Sequence, residues 1–287
     1  MNKQTIGLVL RPGIGEIHEL VSNIHQRWPS LRFCIENQGH HAIKAPPDWI
    51  TPVDAAAFAD ESELVLVLGG DGTFIHAASL LKDCVVPILG VNMGHIGFLT
   101  EVGRDELIQV LPLALEGGLP HTDRMRLDAE LQCANQPSLL CRILNDAVVS
   151  LEKFARIATF RVALRDDLIT NVRGDGVIVS TPTGSTAYAL AAGGSVVSPH
   201  LEAIVITPVC PHQLTQRPLI VRPHAEVIIT LESDSRVFAT FDGQSGREFR
   251  QGDTLIVRKA PVPTRVLNVP WRNYFQTLRT KLRWGDE

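Results

Sequence analysis

Along the first part of the chain, short apolar runs alternate with stretches of helical period. Ile6 to Leu10, Leu31 to Ile35, Leu64 to Leu68 and Pro87 to Val91 are apolar at nearly every position, the pattern of strands buried on both faces. Between them Glu16 to Trp28, Phe74 to Leu81 and Arg104 to Glu116 read as helices. Continuously apolar strands separated by helices predict a parallel sheet covered on both sides, an open α/β layer. Ligands in such sheets sit beyond the carboxyl ends of the strands.

After Gly117, Gly118 and Pro120 the pattern changes. Arg126 to Gln132, Ile143 to Ser150, Ile157 to Leu164, Gly176 to Ser180, Ala203 to Thr207, Glu226 to Leu231, Val237 to Phe241 and Thr254 to Arg258 are short strand-like runs between turn signals. One brief helix, Thr186 to Ala192, interrupts them, and Asp166-Asp167 and Asp242-Gly243 read as hairpin turns. Near the end, Arg272, Arg279, Lys281 and Arg283 punctuate Tyr274, Phe275, Leu278 and Leu282, which suits a helix docked by its apolar face. The expected fold class is therefore α/β: an amino-terminal open α/β sheet domain over 1–120, then a mostly-β domain over 121–265. The carboxyl-terminal helix, 266–287, is expected back on the first domain.

Composition narrows the class. With 287 residues, 45% hydrophobic and 20% charged, and a mean hydropathy of +0.09, the chain is globular and of about two-domain size. The run Leu64 to Leu68 falls far short of the roughly 18 apolar residues that span a bilayer, so no membrane partner is expected. The apolar run in Met1 to Leu10 is too short for a signal-peptide core, which makes the cytoplasm the expected compartment. A net charge of -4 gives no global field for nucleic acid. Five cysteines, without C-x-x-C or a Cys/His zinc spacing, are expected to be reduced and buried.

Three segments could carry chemistry. Gly13-x-Gly15 with Glu36 about twenty residues on is similar to a dinucleotide fingerprint, but His18 stands at the third glycine and Pro12 disturbs the entry, so a plain turn is favoured. No G-x-x-x-x-G-K-[ST] loop is present. The second segment is Gly69-Gly70-Asp71-Gly72-Thr73, directly after Leu64 to Leu68 and before an apolar helix carrying His76. Its glycines are expected to adopt positive φ and to turn amides toward phosphate oxygens, making Gly69, Gly70, Gly72 and Thr73 candidate phosphate contacts. Asp71 could equally be a helix cap. The third segment, Thr181-Pro182-Thr183-Gly184-Ser185-Thr186-Ala187-Tyr188, offers five hydroxyls ahead of a small-residue helix, and reads either as a donor-rich ligand face or as a turn before a buried helix.

In that order and spacing, G-G-D-G-T, Asn145-Asp146, Arg173-Gly174-Asp175-Gly176 and S-T-P-T-G-S-T-A-Y resemble the NAD kinase family. Asn92-Met93-Gly94-His95-Ile96-Gly97-Phe98-Leu99 and the terminal Phe275-Gln276-Thr277-Leu278, Lys281-Leu282 and Trp284 extend the likeness over nearly the whole chain. The resemblance implies transfer of the γ-phosphoryl of ATP to the 2′-hydroxyl of the adenosine ribose of NAD, with Mg²⁺. It implies Asp71 as proton acceptor with Gly72 beside it at the NAD, and Asn145 and Asp146 on the adenosine half. His76, Arg156, Arg173, Asp175, the run Thr186, Ala187, Tyr188, Ala189, Leu190 and Ala191, and Gln244 complete the implied ligand shell. Many members have Glu where Asp146 stands and a basic residue where His76 stands; the shorter acid shifts the acceptor by a methylene, and a neutral histidine lowers the charge at the phosphates. A homodimer or homotetramer with a site shared between subunits is also implied. Two alternatives stay open here: a lipid kinase sharing the G-G-D-G loop, and an NAD(P)-binding sensor without turnover.

Overall fold

The computed structural model describes residues 4–13, 16–37, 47–94, 97–133, 136–152 and 157–284. Arg156, implied above as a ligand residue, lies outside them, as do His95 and Ile96. By internal contacts the chain forms two units, Met1–Asp123 with Thr264–Glu287, and Arg124–Pro263.

The first unit is built on one sheet. Its strands are β1 (Thr5–Leu10), β2 (Arg32–Glu36), β3 (Ile50–Val53), β4 (Leu64–Gly69), β5 (Ile88–Asn92), β6 (Val102–Gly103), β7 (His121–Arg124) and, from the far end of the chain, β20 (Thr264–Leu267). They lie in the order β3-β2-β1-β4-β5-β20-β7, with β6 beside β5. The pairs β1 with β2, β1 with β4 and β4 with β5 are parallel. Because each of these central strands is apolar on both faces, helices must cover both, and β1, β4 and β5 are almost entirely buried. The chain runs outward from β1 through β2 to β3 and then returns to the other side of β1 as β4. That reversal opens a crevice beyond the carboxyl ends of β1 and β4, the place where open α/β sheets take ligands.

The second unit is a sandwich. Its strands are β8 (Leu127–Cys133), β9 (Gln136–Ile143), β10 (Asp146–Leu151), β11 (Ala158–Leu164), β12 (Asp167–Gly174), β13 (Gly176–Ser180), β14 (Ile204–Val209), β15 (Leu219–Val221), β16 (Val227–Leu231), β17 (Val237–Phe241), β18 (Ser245–Phe249) and β19 (Thr254–Lys259). They form two sheets, β15-β14-β13-β10-β17-β18 and β12-β11-β16-β19-β8-β9. Alternate residues of both sheets, among them Leu127, Ala147, Val149, Phe160, Val177, Ile229, Phe241 and Leu255, meet in one core.

The structure departs from the sequence pattern in three places that matter for the site. A helix begins at Asp71 and runs to Leu80, three residues earlier than the apolar period indicates. The run Ile143 to Ser150 is broken at Leu144-Asn145, between β9 and β10. The expected helix Thr186 to Ala192 is a 3₁₀ turn, Gly184–Thr186, followed by the single helical turn Tyr188–Ala191. Ala187 separates the two with φ -99° and ψ -128°, outside helical geometry.

Candidate active site

At the end of β4 the backbone passes through Gly69 and Gly70 into the Asp71 helix. The glycines do not act through left-handed conformations: none of Gly69, Gly70 and Gly72 has positive φ, and Gly70 is extended at φ -121°. Their smallness is used otherwise. A Cβ on Gly69 would lie 2.4 Å from the Thr73 hydroxyl, so Gly69 makes room for Thr73, whereas a Cβ on Gly70 or Gly72 would meet nothing within 4 Å. The backbone at Gly70 and Gly72 is therefore open to approach at a helix amino terminus, where amides and the helix dipole favour anions.

Asp71 is the first residue of that helix, yet its side chain does not cap it. Its carboxylate reaches instead to the segment after β5. Oδ2 accepts from the Phe98 amide at 2.9 Å, and Oδ1 from the Leu99 amide at 3.1 Å, the Thr100 amide at 3.2 Å and the Thr100 hydroxyl at 3.1 Å. Thr100 is itself fixed by Asn92, whose amide donates to its hydroxyl at 2.8 Å. Gly97 supplies the space, since a Cβ there would lie 2.0 Å from Asp71 Oδ1. The cap alternative is thus corrected: the acid ties the segment at Phe98 to Thr100 to the Asp71 helix. A carboxylate has about four lone-pair sites. Three of the four donors converge on Oδ1, which leaves Oδ2 the freer oxygen.

Beside this loop is a cavity of about 380 Å³ lined by Leu8, Val9, Leu10, Pro12, Glu36, Gly72, Thr73, His76 and Leu80. It lies at the carboxyl ends of β1 and β2, against the helix that follows β4. His76, one helical turn after Gly72, brings Nε2 to 3.9 Å from the buried Glu36 carboxylate. The sequence signal for Glu36 is its position at the end of the second strand, about twenty residues beyond the Gly13 turn.

In the second unit, Asn145 and Asp146 sit at the turn from β9 into β10. The Asn145 Oδ1 is buried with no hydrogen-bond partner among the described residues. Asp146 is buried, no donor among the described residues reaches its carboxylate, and burial followed by the charge of Asp242 pushes it up to about 7. Gln244 lies in the β17–β18 turn, whose Asp242 accepts hydrogen bonds from the amides of Leu144, Asn145 and Asp146. On the other side is the hydroxyl-rich segment. The Thr181 amide donates to the Asn145 carbonyl at 2.8 Å, its hydroxyl to the Leu144 carbonyl at 2.6 Å, and Gly184 is packed so closely that a Cβ would lie 2.2 Å from the Asn145 carbonyl oxygen.

Three of the five hydroxyls are turned inward and are not open donors. Thr181 is spent on Leu144, Ser185 donates to the Pro182 carbonyl and accepts from the Val197 amide, and Thr186 donates to the Thr183 carbonyl. Ala189 is fully buried against Val148, Ile178 and Val209, so its methyl belongs to the core. Ala187 and Leu190 are partly exposed, Ala191 is exposed, and Tyr188 is 45% exposed. Arg173 and Asp175 are exposed at the β12–β13 corner. The ladder pairs Asp146 with Ser180 and Ser150 with Gly176, which puts that corner at the opposite end from Asn145 and Asp146, four residues or roughly 13 Å along the strand.

Comparison with known proteins decides the family. Residues 20–119 match the model of the ATP-NAD kinase N-terminal domain and residues 144–269 that of the C-terminal domain. The chain is 44% identical over 229 residues to the NAD kinase of Trichlorobacter lovleyi, covering 79% of this chain and 80% of that protein. The chain belongs to the NAD kinase family. The NAD kinase of Aquifex aeolicus is also 44% identical, over 224 residues, 78% of this chain and 82% of that one. Among solved structures, yeast NADH kinase complexed with NADH superposes with a TM-score of 0.90 at 24% identity, over 99% of this chain and 89% of that one. An NAD kinase from Archaeoglobus fulgidus in complex with ATP gives 0.76 at 23% identity, over 98% and 99%. These two share the α/β sheet domain and the β domain described above. For an NAD kinase the lipid-kinase and sensor alternatives are not favoured.

Proposed function

We propose that the protein transfers the γ-phosphoryl group of ATP to the 2′-hydroxyl of the adenosine ribose of NAD, giving NADP, and that Asp71 takes the hydroxyl proton. The observation that carries this reading is the Asp71 carboxylate, fixed by four donors with Oδ2 left the freer oxygen. A hydroxyl hydrogen-bonded to Oδ2 gives up its proton there as its oxygen bonds to phosphorus, and the bond from the γ-phosphorus to the bridging oxygen breaks to release ADP. The open backbone at Gly70 and Gly72, with Thr73 and His76 beyond it, suits the transferred and leaving phosphates. The adenosine half of NAD is assigned to Asn145, whose orphaned Oδ1 wants a donor such as an adenine amino group, and to Asp146, an acceptor for ribose hydroxyls. Gln244 and the exposed residues of Thr186–Ala191 border that place.

Among the described residues no group of three His, Cys, Asp or Glu side chains is placed to hold a metal ion. Mg²⁺ keeps several waters and is bound through substrate phosphates with one or two carboxylates, so it would arrive on the triphosphate and would neutralise charge on those phosphates.

Arg173 and Asp175 support a shared site. They stand at the far end of the β10–β13 ladder, so a second copy of the chain is the means by which they would meet the NAD held by Asn145 and Asp146, in a homodimer or homotetramer. The cysteines are not all buried as expected, since only Cys34 is buried and Cys210 is exposed; five unpaired cysteines suit a reducing compartment, the cytoplasm, and among the described residues no helix is long and apolar enough to cross a membrane.

The test offers ATP with NAD and with 2′-deoxy-NAD to an oligomeric preparation checked by light scattering. NADP is expected from the first, and binding without phosphorylation from the second. Phosphate on the 3′-hydroxyl, or turnover of the deoxy compound, would contradict the assignment, and a fully active monomer would contradict the shared site.

A further inference from the structure

The three residues Leu144, Asn145 and Asp146 have every backbone polar group accounted for. Their amides converge on one carboxylate: Asp242 Oδ2 accepts from Leu144 at 2.8 Å, and Oδ1 from Asn145 at 2.7 Å and Asp146 at 3.0 Å. Their carbonyls accept, in turn, from the Thr181 hydroxyl, the Thr181 amide and the Asp242 amide, the last at 2.8 Å. Among the described residues none pairs with the buried Asn145 Oδ1, and only burial and the charge of Asp242 act on the Asp146 carboxylate. A turn whose backbone is saturated while its side chains are not is built to present those side chains.

Asp242 holds an unusual conformation to do this. It has φ +51° and is followed by Gly243 at φ +64°, in a turn closed by the Gln244 amide on the Phe241 carbonyl at 2.9 Å. The left-handed region is uncommon for a residue other than glycine, with Asp and Asn among the better tolerated. Behind it, Arg126 is 1% exposed and its charge acts on Asp242. Arg126 and Asp146 share this corner with Asp242, and the Cys141 thiol, pushed up by burial, also feels the Asp242 charge.

We propose that Asp242, supported by Arg126, is a positioning residue that pre-orders Asn145 and Asp146 for the adenosine of NAD, and so sets NAD affinity without touching the substrate. This rests on the assignment of those two residues to adenosine. Both acids are pushed up by burial, Asp242 being held back by the three amides and by Arg126, and Asp146 being raised further by the charge of Asp242. The arrangement therefore couples the clamp to the protonation of the residue it presents.

Asp242→Asn is the discriminating variant. Asparagine tolerates the left-handed backbone and keeps an oxygen for two of the three amides, but brings an amide group against the third and removes the charge. The KM for NAD is expected to rise about tenfold or more, the factor for one lost charge-assisted hydrogen bond. The kcat at saturating NAD and the KM for ATP should stay within about twofold, because the clamp does not reach the reacting atoms. The pH midpoint of kcat/KM for NAD should move to lower pH, since the charge that raises Asp146 is gone; a purely structural role would not move it. An unchanged KM for NAD, a loss in kcat alone, or an unmoved midpoint would overturn the proposal. Hydrogen exchange on the wild-type protein tests it without a variant: the Leu144, Asn145 and Asp146 amides should be protected before NAD is added, and protection appearing only with NAD would overturn it. Failure of the wild-type enzyme to make NADP would instead overturn the assignment on which the inference rests.

Discussion

Asp71 and Asp146, one in each unit, are the same residue type in opposite circumstances. Asp71 accepts four hydrogen bonds at a helix start that is open to approach. Asp146 is buried, accepts none from the described residues and is pushed up to about 7 by burial and by Asp242. The first arrangement fixes where an oxygen points; the second leaves an acid that changes charge near neutral pH. Position serves the chemical step and charge serves binding, so the two sites should fail differently when disturbed.

Short of replacing Asp71 itself, the largest effect is expected at Gly97. In Gly97→Ala the new methyl would sit 2.0 Å from Asp71 Oδ1, and the carboxylate must leave its place. Steady-state assays should show kcat lowered by about 10² or more, the scale of a lost general base, with NAD affinity little changed. A kcat within twofold of wild type would show that the bracing of Asp71 has no bearing on turnover.

Asp146→Asn should act on the other side of the comparison and by less. With ionised Asp146 as the acceptor for ribose hydroxyls, kcat/KM for NAD in the wild-type enzyme should rise with pH through about 7, and the variant should flatten that rise. Stability gives a smaller, independent readout. The folded-state pKa lies above the unfolded value of about 3.9, so the folded protein binds the extra proton between about 4 and 7, and stability falls as pH rises through that window. The variant should therefore melt several degrees above wild type at pH 8 and alongside it at pH 4. A variant that melts lower at pH 8 would contradict the burial argument.

The sequence made some of this visible and hid the rest for physical reasons. Interior strands such as β1, β4 and β13 are apolar along their length and were legible as strands. The edge strands β3, β7, β9, β12, β15 and β18 were not, because an edge turns one side and part of its faces to water and carries polar residues such as Arg247 and Glu248 in β18 or Asp167 and Asn171 in β12. The carboxylate of Asp71 was legible through its glycines, but not its four donors, which come from a segment twenty-seven to twenty-nine residues away. Asp242 was visible only as half of an Asp-Gly turn; its partners are nearly a hundred residues away. Chemistry written in a contiguous motif can be read from a chain, whereas the bonds that hold the motif in place arise only when distant segments meet.

The central claim, that a braced Asp71 takes the proton of the ribose hydroxyl, is tested most directly by steady-state kinetics and calorimetric NAD binding on Asp71→Asn. The amide keeps the shape but loses the charge and sets an amino group against one of the donors at 98–100, which should lower stability by about 2 kcal/mol. The predicted result is a kcat lower by roughly 10²- to 10⁴-fold with the Kd for NAD within about threefold of wild type, since Asn145 and Asp146 are untouched. A folded variant with kcat near that of the wild type would contradict the account.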